Sequence, residues 1–133
     1  IFADDQRIEF HEDVSAVPTA DIVFMSGVLQ YIEDYPGVLR DLTERFHPRL
    51  FVLTLLPTGS FPTFASAQVN LEGSTMPAWF FNEAALLDQF GALGYELVLR
   101  GAATLEFDMS DFDPAHRLDG MSNWILRAKS ARK

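Results

Sequence analysis

Two short apolar runs, Asp21-Ile22-Val23-Phe24-Met25 and Leu50-Phe51-Val52-Leu53-Thr54-Leu55-Leu56, restrict the folds open to this chain more than any other feature. Each is short and almost continuously apolar, as expected of a strand buried on both faces of a parallel sheet. Between them Val38, Leu39, Leu42 and Phe46 recur at helix spacing with charges interspersed. That helix must end near His47-Pro48, because proline cannot donate the intrahelical bond and restricts the residue before it.

The flanking segments extend the alternation. Residues 7–11 alternate in polarity and predict a short strand, with Glu12-Asp13 opening a loop. The first apolar run stops at Ser26-Gly27, and residues 28–32 read as one helical turn. Pro57-Thr58-Gly59 ends the second run. Residues 60–79 read as a long loop studded with Phe61, Phe64, Met76 and Trp79, and such a loop is either functional or a cover over the core. Asn82 is an N-cap for a helix over residues 83–93, whose Leu86, Leu87, Phe90 and Leu93 share a face, and Gly94 stops it. Residues 95–100 predict a strand, 104–107 another before the acidic loop 108–114, and 122–128 the last, followed by a basic tail. Strands alternating with helices give an α/β fold in one domain, with a mainly parallel sheet, an antiparallel finish and helices on both faces. In such sheets ligands sit beyond the carboxyl ends of the strands. Asp13, residues 26–31 and residues 55–61 therefore belong to the functional edge, and His47 to the opposite one.

Charge and composition exclude several functions. The net charge is −9, and only six of the ten basic side chains precede Arg127, so the clustered Lys and Arg that phosphate-backbone binding needs are missing and nucleic acid is not an expected partner. The absence of cysteine rules out disulfides and thiolate metal sites and fits a reducing cytosol. No run of about 18 apolar residues suggests a membrane span. The chain opens on Ile1-Phe2, which reads as a processed or truncated start. There is no Gly-x-Ser-x-Gly elbow, no P-loop and no Gly-x-Gly-x-x-Gly turn. His11, His47 and His116 are scattered, so no metal is expected. Asp108, Asp111 and Asp113 lack the glycine and final glutamate of a calcium loop and read as a solvated turn.

Residues 21–34, Asp-Ile-Val-Phe-Met-Ser-Gly-Val-Leu-Gln-Tyr-Ile-Glu-Asp, carry the most information. They resemble the fourth strand and following turn of class I S-adenosylmethionine-dependent methyltransferases. Residues 26–34, 64–70 and 76–82, with Leu93-Gly94-Tyr95-Glu96-Leu97, look more narrowly like a group of bacterial methyltransferase-like proteins encoded near polysaccharide-biosynthesis genes. The resemblance implies a partial Rossmann-like sheet, with residues 1–133 as the C-terminal part of a domain. The glycine-rich loop after strand one and the acid after strand two do not occur in this sequence. In the family's strand order, 3-2-1-4-5-7-6, strand four would then have a bare edge, which residues 7–11 or a second copy of the chain would cover.

The resemblance further implies S-adenosylmethionine as cofactor, with Asp13 beside the adenine and Ser26, Gly27 and Leu29 forming the pocket floor. Gly27 would let the backbone approach the ligand without a Cβ in the way. Gln30 and Tyr31 would face the methyl acceptor. Methyl transfer is an in-line displacement that depends mostly on positioning, and a sugar hydroxyl would also need a general base, for which His11, Tyr31, Glu33 and His116 are candidates. Gln68, Asn70, Trp79 and Asn82 suit a carbohydrate acceptor, although Phe61, Phe64 and Trp79 would equally serve a structural lid. The expected activity is O-methylation of a glycan or glycan precursor, in the cytoplasm, with this portion inactive by itself. The rivals are a non-catalytic binding or assembly module on the same scaffold and an unrelated α/β nucleotide-sugar binder.

Overall fold

The structure, a computed structural model, describes residues 5–103 and 108–130, apart from the side chains of residues 70 and 71. Its elements are β1 (Ile22–Ser26), α1 (Tyr35–Phe46), β2 (Leu50–Leu56), β3 (Thr58–Gly59), β4 (Phe64–Leu71), β5 (Ser74–Asn82), α2 (Glu83–Ala92), β6 (Tyr95–Ala103) and β7 (Met121–Ala128). Short 3-10 turns lie at Val14–Ala16, Leu29–Tyr31 and Pro114–His116. The expected strand over residues 104–107 lies outside the described residues.

The helix boundaries follow from their capping residues. Asp34 caps α1 by accepting from the Gly37 N–H at 2.9 Å, and His47, in a left-handed conformation with φ 46°, ends it. Asn82 caps α2 by accepting from the Ala85 N–H at 2.9 Å, and Gly94 (φ 90°) turns the chain out of it.

The main sheet has the order β1-β2-β7-β6. β1 and β2 are parallel, and β7 runs antiparallel to both β2 and β6. Three of the four strands thus share a direction, but the antiparallel strand lies between them, so two of the three ladders are antiparallel. The expected mainly parallel sheet is in fact mixed.

Both helices pack on one face of this sheet. Leu39 of α1 and Leu86 and Phe90 of α2 share a buried cluster with Phe51, Leu53, Tyr95, Trp124 and Leu126. The register sets Phe51 against Leu126 and Leu53 against Trp124, so these side chains point to one side. Phe51 meets Phe90 and Tyr95 edge-on, at centroid distances of 5.4 and 4.9 Å. The opposite face carries the register row Phe24, Val52, Ile125, Leu99. Phe24 is 64% exposed and Leu99 51%. Helices therefore do not cover both faces, and β1 alternates between exposed and half-buried positions instead of being buried throughout. Continuous apolar character in the sequence cannot distinguish a covered face from a bare one.

Two further expectations are corrected. Residues 60–79 are not a loop but chiefly a β-hairpin, β4 against β5, turning at Glu72-Gly73 with Gly73 at φ 78°. β3 adds to it in parallel. Cross-strand stacking of Phe64 on Phe80, with centroids 5.0 Å apart and the rings nearly parallel, favours this pairing over an open loop. Residues 7–11 form no strand. Their polar groups close on neighbours instead: Arg7 on Asp5 at 2.7 Å, His11 on Glu9 at 3.2 Å. Among the described residues β1 pairs only with β2, so its other edge is free of the cover expected from residues 7–11. No helix among the described residues is long and apolar enough to cross a membrane.

Candidate functional site

The carboxyl ends of β1 and β2 meet at an unusual pair of residues. Gly27 closes β1 with φ 58°, and its N–H donates to the Thr54 carbonyl at 2.9 Å. The Thr54 hydroxyl donates to Ser26 Oγ at 2.8 Å. Leu55 also has a left-handed backbone, φ 57°, inside a bulge of β2, and its N–H donates to Asn123 Oδ1 at 3.0 Å. A Cβ placed on Gly27 would lie 3.5 Å from Leu55 Cδ1. A leucine in this region is strained by about 1–3 kcal/mol, and such strain concentrates at functional sites. The sequence puts Leu55 on the functional edge but does not mark its left-handed backbone, since only glycine advertises such a position, and it does not mark Asn123 at all.

Beyond this pair the chain makes the 3-10 turn that buries Leu29 and Gln30. Gln30 is only 4% exposed, and its Oε1 is buried without a hydrogen-bond partner among the described residues. It lines an open cavity of about 480 Å³ bordered by that turn, the β4–β5 hairpin and residues 108–112. Gln68, Trp79, Phe80, Asp108, Met109, Asp111 and Phe112 also face it. Cavities of this volume accept small-molecule ligands.

The structure thus brings Gln30, Gln68 and Trp79 to one cavity, and Tyr31 joins them because its hydroxyl donates to Gln68 Oε1 at 2.8 Å. Ser26, Gly27 and Leu29 lie directly upstream. Asp13 has a local task, accepting from the Ser15 N–H at 2.7 Å, and that backbone bond holds its carboxyl below the usual range. Its turn is tied to the end of α1, where Arg45 Nη2 donates to the Ser15 carbonyl at 2.6 Å. Asn82, besides capping α2, donates from Nδ2 to the Phe61 carbonyl at 2.8 Å. His116 packs edge-on against Phe64 at 5.2 Å. His11, Glu33 and His116 do not line the cavity. The Asn70 side chain lies outside the described ones.

Sequence reasoning missed Asp108, Met109, Asp111 and Phe112 as lining residues, having assigned the acids to a solvated turn. Asp108 accepts from the Ser110 N–H at 2.8 Å, which holds its carboxyl below the ordinary carboxylate value. Arg117 braces the same loop, donating to the carbonyls of Phe112 and Ser110 at 2.8 and 2.9 Å. Only the fold shows that this loop faces the hairpin.

No family profile matches the sequence, and no curated protein matches it. Solved structures do match its fold. A protein from Listeria monocytogenes assigned as an S-adenosylmethionine-dependent methyltransferase aligns with a TM-score of 0.62 at 12% identity, over 89% of this chain and 66% of that one. An S-adenosylmethionine-dependent methyltransferase from Mesorhizobium loti aligns with a TM-score of 0.52 at 14% identity, over 83% and 62% respectively. The fold is methyltransferase-like. At these identities the likeness is one of fold, and the chain spans about two thirds or less of the length of these proteins.

Proposed function

We propose that this chain is the C-terminal portion of a Rossmann-like, S-adenosylmethionine-dependent methyltransferase domain, and that the cavity lined by Gln30, Gln68 and Trp79 receives the methyl acceptor. One observation carries the reading. Gln30 lines the cavity while its Nε2 stands 3.8 Å from where a Gly27 Cβ would be, so a single side chain joins the Ser26-Gly27 turn to the cavity. A donor held at that turn and an acceptor in the cavity would meet at this residue, as positioning demands.

The residues present fit one flank of the cofactor. Gly27 keeps the end of β1 free of a side chain, Ser26 is exposed beside it, and Leu29 is buried beneath. When bound, S-adenosylmethionine supplies the electrophilic methyl group. The protein's part is to hold and orient: the amides of Gln30 and Gln68 and the indole of Trp79 suit a glycan hydroxyl, and Tyr31, bonded to Gln68, is the base candidate nearest the cavity. Strands pairing with the free edge of β1 would complete the cofactor site; a second copy of the chain is the competing occupant of that edge. A cytoplasmic location accompanies this reading.

Calorimetry of the full-length protein with S-adenosylhomocysteine tests it. The expected result is saturable heat with a Kd below about 1 mM, equivalent to roughly 4 kcal/mol of binding free energy. Absence of heat at millimolar ligand overturns the reading in favour of a non-catalytic module on the same scaffold.

A further inference from the structure

We propose that the ligand site at the Ser26-Gly27 turn extends onto the end of β2: Asn123 is a positioning residue that holds the β2 bulge, and the bulge aims Leu55 at the bare side of Gly27 as an apolar wall against the ligand. That the ligand is S-adenosylmethionine rests on the function proposed above; the placement of Leu55 does not.

The positions of the core residues force the bulge. Leu53 and Leu56 both enter the buried cluster, although in a regular strand residues three apart face opposite sides of the sheet. The register resolves this. Leu53 pairs with Trp124 and Leu56 with Ser122, so Thr54 and Leu55 together stand opposite Asn123. An extra residue of this kind loses its ladder partner and has its side chain re-aimed. Asn123 Oδ1 accepts the Leu55 N–H at 3.0 Å, and Asn123 Nδ2 donates to the Ala102 carbonyl of β6 at 3.3 Å. One side chain thus braces the bulge against β6 and holds a leucine at φ 57°, a conformation that costs it energy.

The result is a contact with the turn. Leu55 Cδ1 and Cβ lie 3.5 and 3.8 Å from the position that a Cβ on Gly27 would occupy, both ordinary van der Waals separations. A ligand atom filling the bare side of Gly27 would therefore touch Leu55. The leucine is half-buried, so it keeps surface to offer. The backbone completes the joint, because the Gly27 N–H donates to the carbonyl of Thr54, the residue before Leu55, at 2.9 Å. Any shift of the bulge moves the turn with it.

Amide-resolved hydrogen exchange and calorimetry with S-adenosylhomocysteine, both on the full-length protein, test the clamp and the contact separately. Asn123→Ala removes the acceptor. It should accelerate exchange at the Gly27 amide by about tenfold while amides elsewhere in β2 keep their rates, and weaken S-adenosylhomocysteine by about tenfold. Asn123→Asp keeps an acceptor for Leu55 and should restore both to within about twofold of the unmodified protein, a rescue that a general loss of packing would not show. Leu55→Ala keeps the backbone bond and shortens the wall; it should weaken the ligand by about fivefold with Gly27 exchange unchanged. Should Asn123→Ala not fold, Leu55→Ala decides alone. Variants that bind like the unmodified protein, or exchange that rises uniformly along β2, overturn the inference and leave the methyltransferase reading standing. Absence of heat with the unmodified protein removes that reading and the Leu55 contact with it, and the Gly27 exchange rates then uphold or overturn the clamp.

Discussion

Gln30 shows how one residue trades stability for a site. Its buried, unpaired amide oxygen costs the folded state about 1–3 kcal/mol. Gln30→Leu, which removes the polar atoms at similar volume, should leave stability unchanged or raise it by up to about 1 kcal/mol in urea denaturation, while weakening any ligand of the cavity. A clear loss of stability would mean that the amide has a partner in solution. Tyr95 shows the opposite economy: its buried hydroxyl donates to the Pro48 carbonyl at 2.7 Å and links β6 to the start of β2. Burial pushes the Tyr95 phenol, and that of Tyr35, above the ordinary value of about 10. The folded state therefore holds these protons longer than the unfolded one. The stability they contribute is complete below pH 10 and drains away as pH rises through the raised folded values. Tyr95→Phe should cost about 1 kcal/mol at neutral pH and flatten the alkaline loss measured by denaturant midpoints.

At the level of elements, the Tyr31–Gln68 bond is the clasp between the 3-10 turn after β1 and the hairpin strand β4. Tyr31→Phe keeps the ring and removes the donor. Hydrogen exchange in β4 should accelerate several-fold, while global stability falls by less than about 1 kcal/mol; unchanged exchange would show that the hairpin is held elsewhere. This hairpin also marks where sequence reasoning stopped. The βαβ unit around α1 was legible because proline, charge spacing and apolar runs are local signals, and α2 was legible from Asn82 and Gly94. The hairpin was not, because Ala65, Ser66 and Ala67 have little strand character and the stacking of Phe64 on Phe80 exists only once the strands pair. The site divided similarly. The resemblance named Gln30, Gln68 and Trp79, which line the candidate cavity, whereas Asp108 and Asp111 reach it only by way of a tertiary contact.

At the scale of the whole molecule, the sheet face opposite the helices and the edge of β1, both uncovered among the described residues, act together. Phe24, Val52, Ile125 and Leu99 lie side by side across four strands, next to an edge with open backbone hydrogen-bonding groups. Contiguous apolar surface and an unprotected edge both favour association. The chain should bind an apolar dye and sediment with concentration-dependent mass, and Phe24→Lys should reduce both without unfolding it, since that side chain is 64% exposed. A dye-silent monomer at all concentrations would contradict this. The strand order β1-β2-β7-β6 has a kinetic consequence as well. β7 is the last strand in the sequence, yet it occupies the middle of the sheet and joins residues as distant as Leu53 and Trp124. During synthesis β6 has no partner until β7 has emerged, and the two halves of the sheet cannot meet before then. Completion of the sheet is therefore a late, non-local event, slow by its topology, and a nascent chain halted before Met121 would expose sheet edges to aggregation.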